Sequence, residues 1–316
     1  EETLSYNLGV DFGLFNDRIS GSLDFYQKET KDLLATVAVP AGTNFSNQIL
    51  TNVGGMLNKG VEFNINIGLF ANKDLRLDLV ANATYNLNKV TKLALIEDTN
   101  SVGIQVGGIS GGIGNTVQVH SVGFSTFSYL LYQQLYDNNG EFIEVGQQAN
   151  IDVNNDGTVD SQDKWQNIHA YADLNNDGDI TPEDKYIFNK TAPDFLFGAA
   201  LNMNYKKWYA GLSFRAELGG YIYNNIHSNT STFQSLNGTQ GFLNNISSLY
   251  YNNQVQSITP NQLLSDHYLE KANFLRLDFL NIGYDFGKIS EKIPFNMDAS
   301  FTVQNVFVLT KYQGLD

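Results

Sequence analysis

The stretch Gly60–Asn86, GVEFNINIGLFANKDLRLDLVANATYN, decides the fold. Val61, Phe63, Ile65, Ile67 and Leu69 alternate with Glu62, Asn64, Asn66 and Gly68. A second run follows, in which Leu75, Leu77, Leu79, Ala81, Ala83 and Tyr85 alternate with Arg76, Asp78, Asn82, Thr84 and Asn86. Successive side chains of a strand point to opposite faces, so each run has one apolar and one polar side. Only Ala71–Asp74 separates the two, which makes them a hairpin. Each run is about 11 residues long, the length a tilted strand needs to cross a bilayer and about double that of a soluble strand. An apolar face meeting lipid leaves the polar face to line a lumen.

The same period recurs along the chain. Leu4–Leu14 and Ile19–Phe25 form an earlier hairpin around Phe15-Asn16-Asp17. Phe195–Tyr205 and Trp208–Leu218 form a third around Lys206-Lys207. In the fourth, Leu275, Leu277 and Phe279 share one face, then Leu280, Ile282, Tyr284 and Phe286 continue in the opposite phase, which predicts a β-bulge at Phe279-Leu280. Gly287–Pro294 is expected as its turn, and Phe295, Met297, Ala299, Phe301 and Val303 complete it. Residues 28–59, 87–193 and 219–272 are expected as long polar connections, the second without a strand of membrane length.

Connections therefore alternate short and long, the asymmetry of outer-membrane barrels with short periplasmic turns and long external loops. Phe15, Phe70, Tyr205, Trp208, Phe286 and Phe295 flank the short turns where an interfacial aromatic girdle belongs. The fold expected is all-β: an antiparallel transmembrane barrel segment of about eight strands. The inward positions carry many Gly, Asn and Ser, which fill space poorly, so a wider barrel with more strands fits better than closure by eight.

Composition agrees. The 316 residues include 28 Gly, 21 Phe and 17 Tyr beside only 5 Pro. No run of 18 apolar residues occurs, so a membrane helix is not the means of crossing. The net charge of −14 disfavours nucleic acid as partner, because phosphate contacts need clustered Lys and Arg. There is no cysteine, hence no disulfide framework and no thiolate chemistry.

Two segments carry metal-ligand spacing. One is Asp152, Asn154, Asp156, Thr158, Asp160 and Asp163 with Gly157; the other is Asp173, Asn175, Asp177, Asp179, Thr181 and Asp184 with Gly178. Each places oxygen donors at positions 1, 3, 5, 7, 9 and 12 around a turn glycine at position 6, the EF-hand-like calcium-loop template. Position 7 contributes its backbone carbonyl, and position 12 is Asp where bidentate Glu is usual. One or two Ca²⁺ ions are expected in 152–163 and 173–184. Gly107–Gly114 lacks the Lys of a phosphate loop. His120, His169, His227 and His267 are isolated, and no nucleophile and base pattern argues for an enzyme.

Several of these stretches resemble the SusC/RagA family of TonB-dependent outer-membrane transporters: Asn52–Phe63 (NVGGMLNKGVEF), Gly108–Gly123 (GISGGIGNTVQVHSVG), the Asp-rich segment ending at Lys185, Ala192–Phe195 (APDF), Phe274–Tyr284 (FLRLDFLNIGY) and Gln304–Phe307 (QNVF). They span nearly the whole chain. The resemblance implies a barrel of about 22 strands with an N-terminal plug, a TonB-contacting segment and a SusD-like surface lipoprotein lid. On that reading residues 1–316 are the C-terminal part of the barrel, and the parent protein imports oligosaccharides or peptides across the bacterial outer membrane. A secreted β-rich binding module with dockerin-like calcium loops is the alternative reading.

Overall fold

The computed structural model describes residues 1–39, 42, 45–46, 48–93, 101–111, 114–136, 140, 143, 170–237, 244–253, 255, 262–290 and 293–315. Its strands are β1 (Glu2–Leu14), β2 (Ile19–Ala38), β3 (Gln48–Ala71), β4 (Leu75–Lys92), β5 (Ile104–Gly108), β6 (Thr116–His120) and β7 (Ser128–Tyr132), then β8 (Lys185–Lys190), β9 (Phe195–Tyr205), β10 (Trp208–Leu218), β11 (Tyr221–Tyr223), β12 (Leu269–Lys271), β13 (Phe274–Ser290) and β14 (Ile293–Thr310). Two short helices, α1 (Asn225–Thr230) and α2 (Tyr250–Asn253), lie in the last long connection.

Eight strands form one antiparallel sheet in the order β1-β2-β3-β4-β9-β10-β13-β14, so every long strand pairs with its neighbour in sequence. The sheet is open, with β1 and β14 at its edges. Its register carries the alternation from strand to strand. Val10, Leu23, Phe63, Ala83, Phe197, Ala216, Leu275 and Leu309 form one unbroken row across all eight strands. One residue along each strand, Asp11, Ser22, Asn64, Asn82, Gly198, Arg215, Arg276 and Val308 form the next row on the other face. A slip of one residue would exchange the two rows, which is why pairing is so strongly specified here.

Among the described residues, no protein core covers the apolar face. Leu8 is 69% exposed, Phe301 66% and Trp208 49%, values far outside those of a soluble sheet with a packed side. The girdle residues expected beside the short turns, Phe15, Phe70, Tyr205, Trp208, Phe286 and Phe295, are all exposed. Most buried hydrophobic side chains lie instead in the long connections, among them Val119, Leu131, Tyr171, Leu263 and Tyr268.

Three expectations need correction. Residues 28–59 are not mostly connection, since β2 continues to Ala38 and β3 begins at Gln48; both strands run on past the apolar band, where β-bulges between Thr30 and Leu34 accommodate them. The phase slip in β13 is real but falls at Asp278, because Leu277 pairs with Phe214 and Phe279 with Ser213. Phe279 thereby turns to the polar face, opposite to its expected placement with Leu275 and Leu277. Finally, β13 and β14 extend to Ser290 and Ile293, so the turn is much tighter than Gly287–Pro294.

The short turns have clear local causes. Phe15, Asn16 and Asp17 all take positive φ near 60°. The Asn72 side-chain oxygen accepts from Asp74 N at 3.0 Å and Leu75 N at 2.8 Å, closing the next turn as an Asx-turn. Beyond the opposite ends of the strands, β5-β6-β7-β8 form a second, four-stranded sheet and β11-β12 a two-stranded ribbon. Their core joins Val117, Tyr129, Leu131, Tyr132, Ala170, Tyr171 and Leu264.

Candidate functional site: the polar face and the loop layer

The polar face of the wall is a lattice of amides, hydroxyls and carboxylates. Asn88 Nδ2 donates to Asn58 Oδ1 at 2.7 Å, Asn281 to the Thr302 hydroxyl at 2.8 Å, and the Tyr209 hydroxyl to Asp298 at 3.0 Å. Tyr26 lies over Gly60, where an added Cβ would come within 2.6 Å of its hydroxyl, and donates to Asn86 Oδ1 at 2.8 Å. Arg215 and Arg276 both stack on Phe274, at 5.7 and 6.0 Å. Such a surface wets easily and offers donors and acceptors to a passing polar solute.

Asn88 also joins the wall to the loop layer. Its side-chain oxygen accepts from Thr126 N and its backbone carbonyl from the Ser125 hydroxyl, both at 2.8 Å. Beside it, Val90 and the Ser121–Phe124 turn exchange backbone bonds at 2.8 and 2.9 Å.

Inside the loop layer, Gln134 is a buried hub. Its amide donates to the carbonyls of Ile143 and Ala170 at 3.0 Å, its carbonyl accepts from the Ser265 hydroxyl at 3.0 Å, and its backbone N–H donates to Asp266 at 2.9 Å. The other Asp266 oxygen accepts from the Tyr186 hydroxyl at 2.6 Å. Burial raises the Asp266 pKa above the usual carboxylate range, against those hydrogen bonds. Burial, helped by nearby His227, lowers His267 to about 4, and its Nδ1 lies 2.9 Å from the Tyr136 hydroxyl. Desolvation lifts Tyr136 to about 12. His227 sits 3.5 Å from Glu270, and His120 packs edge-on against Phe127.

Of the two calcium-type loops, 152–163 and His169 lie outside the described residues. In the other, the Asp173 carboxylate accepts from Gly178 N at 2.9 Å, Asn175 Oδ1 from Asp177 N at 2.9 Å, and Asp177 from Asp179 N at 2.8 Å. Gly178 takes φ +92°, the conformation position 6 demands. Asp184 is fully buried and ties the loop's two ends together, one oxygen accepting from Leu174 N and the other from Thr181 N. These backbone hydrogen bonds, Thr181 foremost, hold its carboxyl below the usual range. The donor types suit a hard cation, yet among the described residues no three His, Asp or Glu side chains converge closely enough to hold one.

Neither the Gln134 hub nor the Asn88 junction is legible as a motif; each joins residues far apart in sequence, and an isolated Asn or Gln has no local signature.

Comparison with known proteins agrees with this architecture. The family model "TonB dependent receptor-like, beta-barrel" matches residues 1–172. The TonB-dependent receptor SusC of Bacteroides thetaiotaomicron is 35% identical over all of this chain and 29% of its own length. The TonB-dependent receptor P39 of Formosa agariphila is 27% identical over 99% of this chain and 32% of its own. The solved structure of the RagAB peptide transporter superposes with a TM-score of 0.72 at 22% identity, covering 99% of this chain and 32% of that one. The chain thus spans about a third of the length of these relatives. It belongs to the TonB-dependent receptor β-barrel family of the bacterial outer membrane, within the SusC/RagA group, and its eight long strands are a stretch of the barrel wall.

Proposed function

We propose that the parent protein is a TonB-dependent importer that carries oligosaccharides or peptides across the outer membrane with a SusD-like surface lipoprotein. The observation that carries this reading is the two-faced wall: one apolar face, uncharged from the short turns to the row of Val61 and Tyr85, and one face of amides, hydroxyls and carboxylates suited to line a wet passage. RagAB, whose solved structure shares this fold, is a peptide transporter, which supports peptides as one substrate class. A strain lacking the gene is expected to lose uptake of its oligosaccharide or peptide substrate, and a lipoprotein is expected to co-purify with the intact barrel. Undiminished uptake across a panel of both substrate classes would overturn the proposal.

Within the loop layer, we further propose that 173–184 and 152–163 take Ca²⁺ to stiffen the surface. Asp173, Asn175, Asp177 and the Asp179 carbonyl would hold the ion in the first of these, with Asp184 sharing a carboxylate it already commits to backbone N–H groups. Asp156→Ala with Asp177→Ala should increase protease cutting between residues 150 and 185 while the strands stay folded. Equal cutting of the unmutated protein with and without chelator would count against metal.

A further inference from the structure

From the short turns up to the row containing Val61, Tyr85 and Phe195, the apolar face of the described wall carries no charged side chain. The first lysines beyond that row on the same face are Lys59 on β3 and Lys89 on β4. Lys59 stands opposite Leu87 and Lys89 opposite Leu57, so the two ammonium groups are diagonal neighbours, about 7–8 Å apart at their stems. Both are exposed, and neither makes an ion pair among the described residues. The nearest carboxylate on this face, Glu29, is engaged by Lys31 at 3.3 Å. Two uncompensated cations side by side are unusual in a chain of net charge −14.

Their height is informative. The apolar band from Leu75 to Tyr85 is 11 residues long, enough for a tilted strand to cross the hydrocarbon layer. Lys59 and Lys89 lie two and four residues past its upper edge, at the level of lipid headgroups on the side of the long loops. Directly on the membrane side of them is a groove of about 480 Å³ lined by Tyr6, Leu8, Phe25, Val61 and Tyr85, with Lys59 at its rim.

We propose that Lys59, Lys89 and this groove bind a phosphorylated lipid of the outer leaflet, its phosphate held between the two ammonium groups and an acyl chain laid along the aromatic trough. Charge complementarity selects an anionic headgroup, and the apolar trough selects a lipid over free phosphate. The inference rests on the apolar face being the membrane face.

The test uses the purified intact barrel in phosphatidylcholine nanodiscs, titrated with fluorescent diphosphoryl lipid A and with its dephosphorylated form. Heat-modifiable mobility reports insertion separately. Wild type should prefer the phosphorylated form, and Lys59→Gln or Lys89→Gln should each weaken it about fivefold, the double variant about 25-fold. A control, Lys206→Gln in a short turn, should leave binding unchanged. An inserted double variant that binds like wild type, or no preference for phosphate, overturns the site. Failure to insert overturns the membrane-wall reading, and the site with it.

Discussion

The rings of Phe12 and Phe63 lie 6.5 Å apart and nearly parallel, at 15°, although their strands are separated by β2. Gly21 is the residue between them, paired with Phe12 on one side and Ile65 on the other. The glycine opens a notch on the apolar face, and Phe12 leans across it.

A side chain at Gly21 has no room. Its Cβ would fall 2.2 Å from the Asn64 carbonyl and 2.7 Å from the Phe12 ring. Gly21→Val should therefore destabilise the assembled barrel by about 1–3 kcal/mol, the usual cost of overpacking. Thermal loss of heat-modifiable mobility measures it, and an unchanged midpoint would refute the packing account.

The two faces should respond oppositely to charge. Leu201 sits mid-band on the apolar face between Leu79 and Leu212, while the adjacent Asn202 lies on the polar face between Asp78 and Gly211. Leu201→Arg should cost about 2–4 kcal/mol in a bilayer. Asn202→Arg should cost far less, because its charge stays in water. Comparable insertion of both variants in a folding titration would contradict the assignment of faces.

Asn88 predicts a local effect. Asn88→Ala removes the acceptor for Thr126 N and the donor to Asn58, leaving polar partners unsatisfied at about 1–3 kcal/mol. Protease cutting between residues 114 and 136 should rise, with strand content by circular dichroism unchanged. Parallel loss of both would mean that wall and loop layer unfold together.

His267 makes the loop layer sensitive to acid. Its folded pKa, about 4, lies below the ordinary histidine value, so the unfolded chain binds more protons between the two. Its contribution is fully present above about pH 6.5 and is lost as pH falls toward 4. The raised Asp266 acts with opposite sign, contributing most at low pH. Protection factors in 262–271, corrected for the intrinsic slowing of amide exchange in acid, should fall from pH 7 to pH 4.5 in the wild type, and His267→Asn should flatten that dependence. A steeper profile in the variant would reverse the assignment.

The sequence by itself determined the wall. Alternation of apolar and polar residues is a local property of each strand, and the short turns at Asn16, Asn72 and Lys206 pair strands that are adjacent in sequence. The eight strands, their order and their two faces follow from that period. Tertiary structure alone decided that the β13 bulge falls at Asp278, that β2 and β3 extend beyond the band, and how the loop layer packs. Gln134 and Asp266, 132 residues apart, meet through a core that no local pattern encodes. Likewise, Lys59 and Lys89 become a pair only when the register of β3 and β4 sets them side by side. Period is written residue by residue; proximity between distant polar groups exists only once the chain has closed the loops that bring them together.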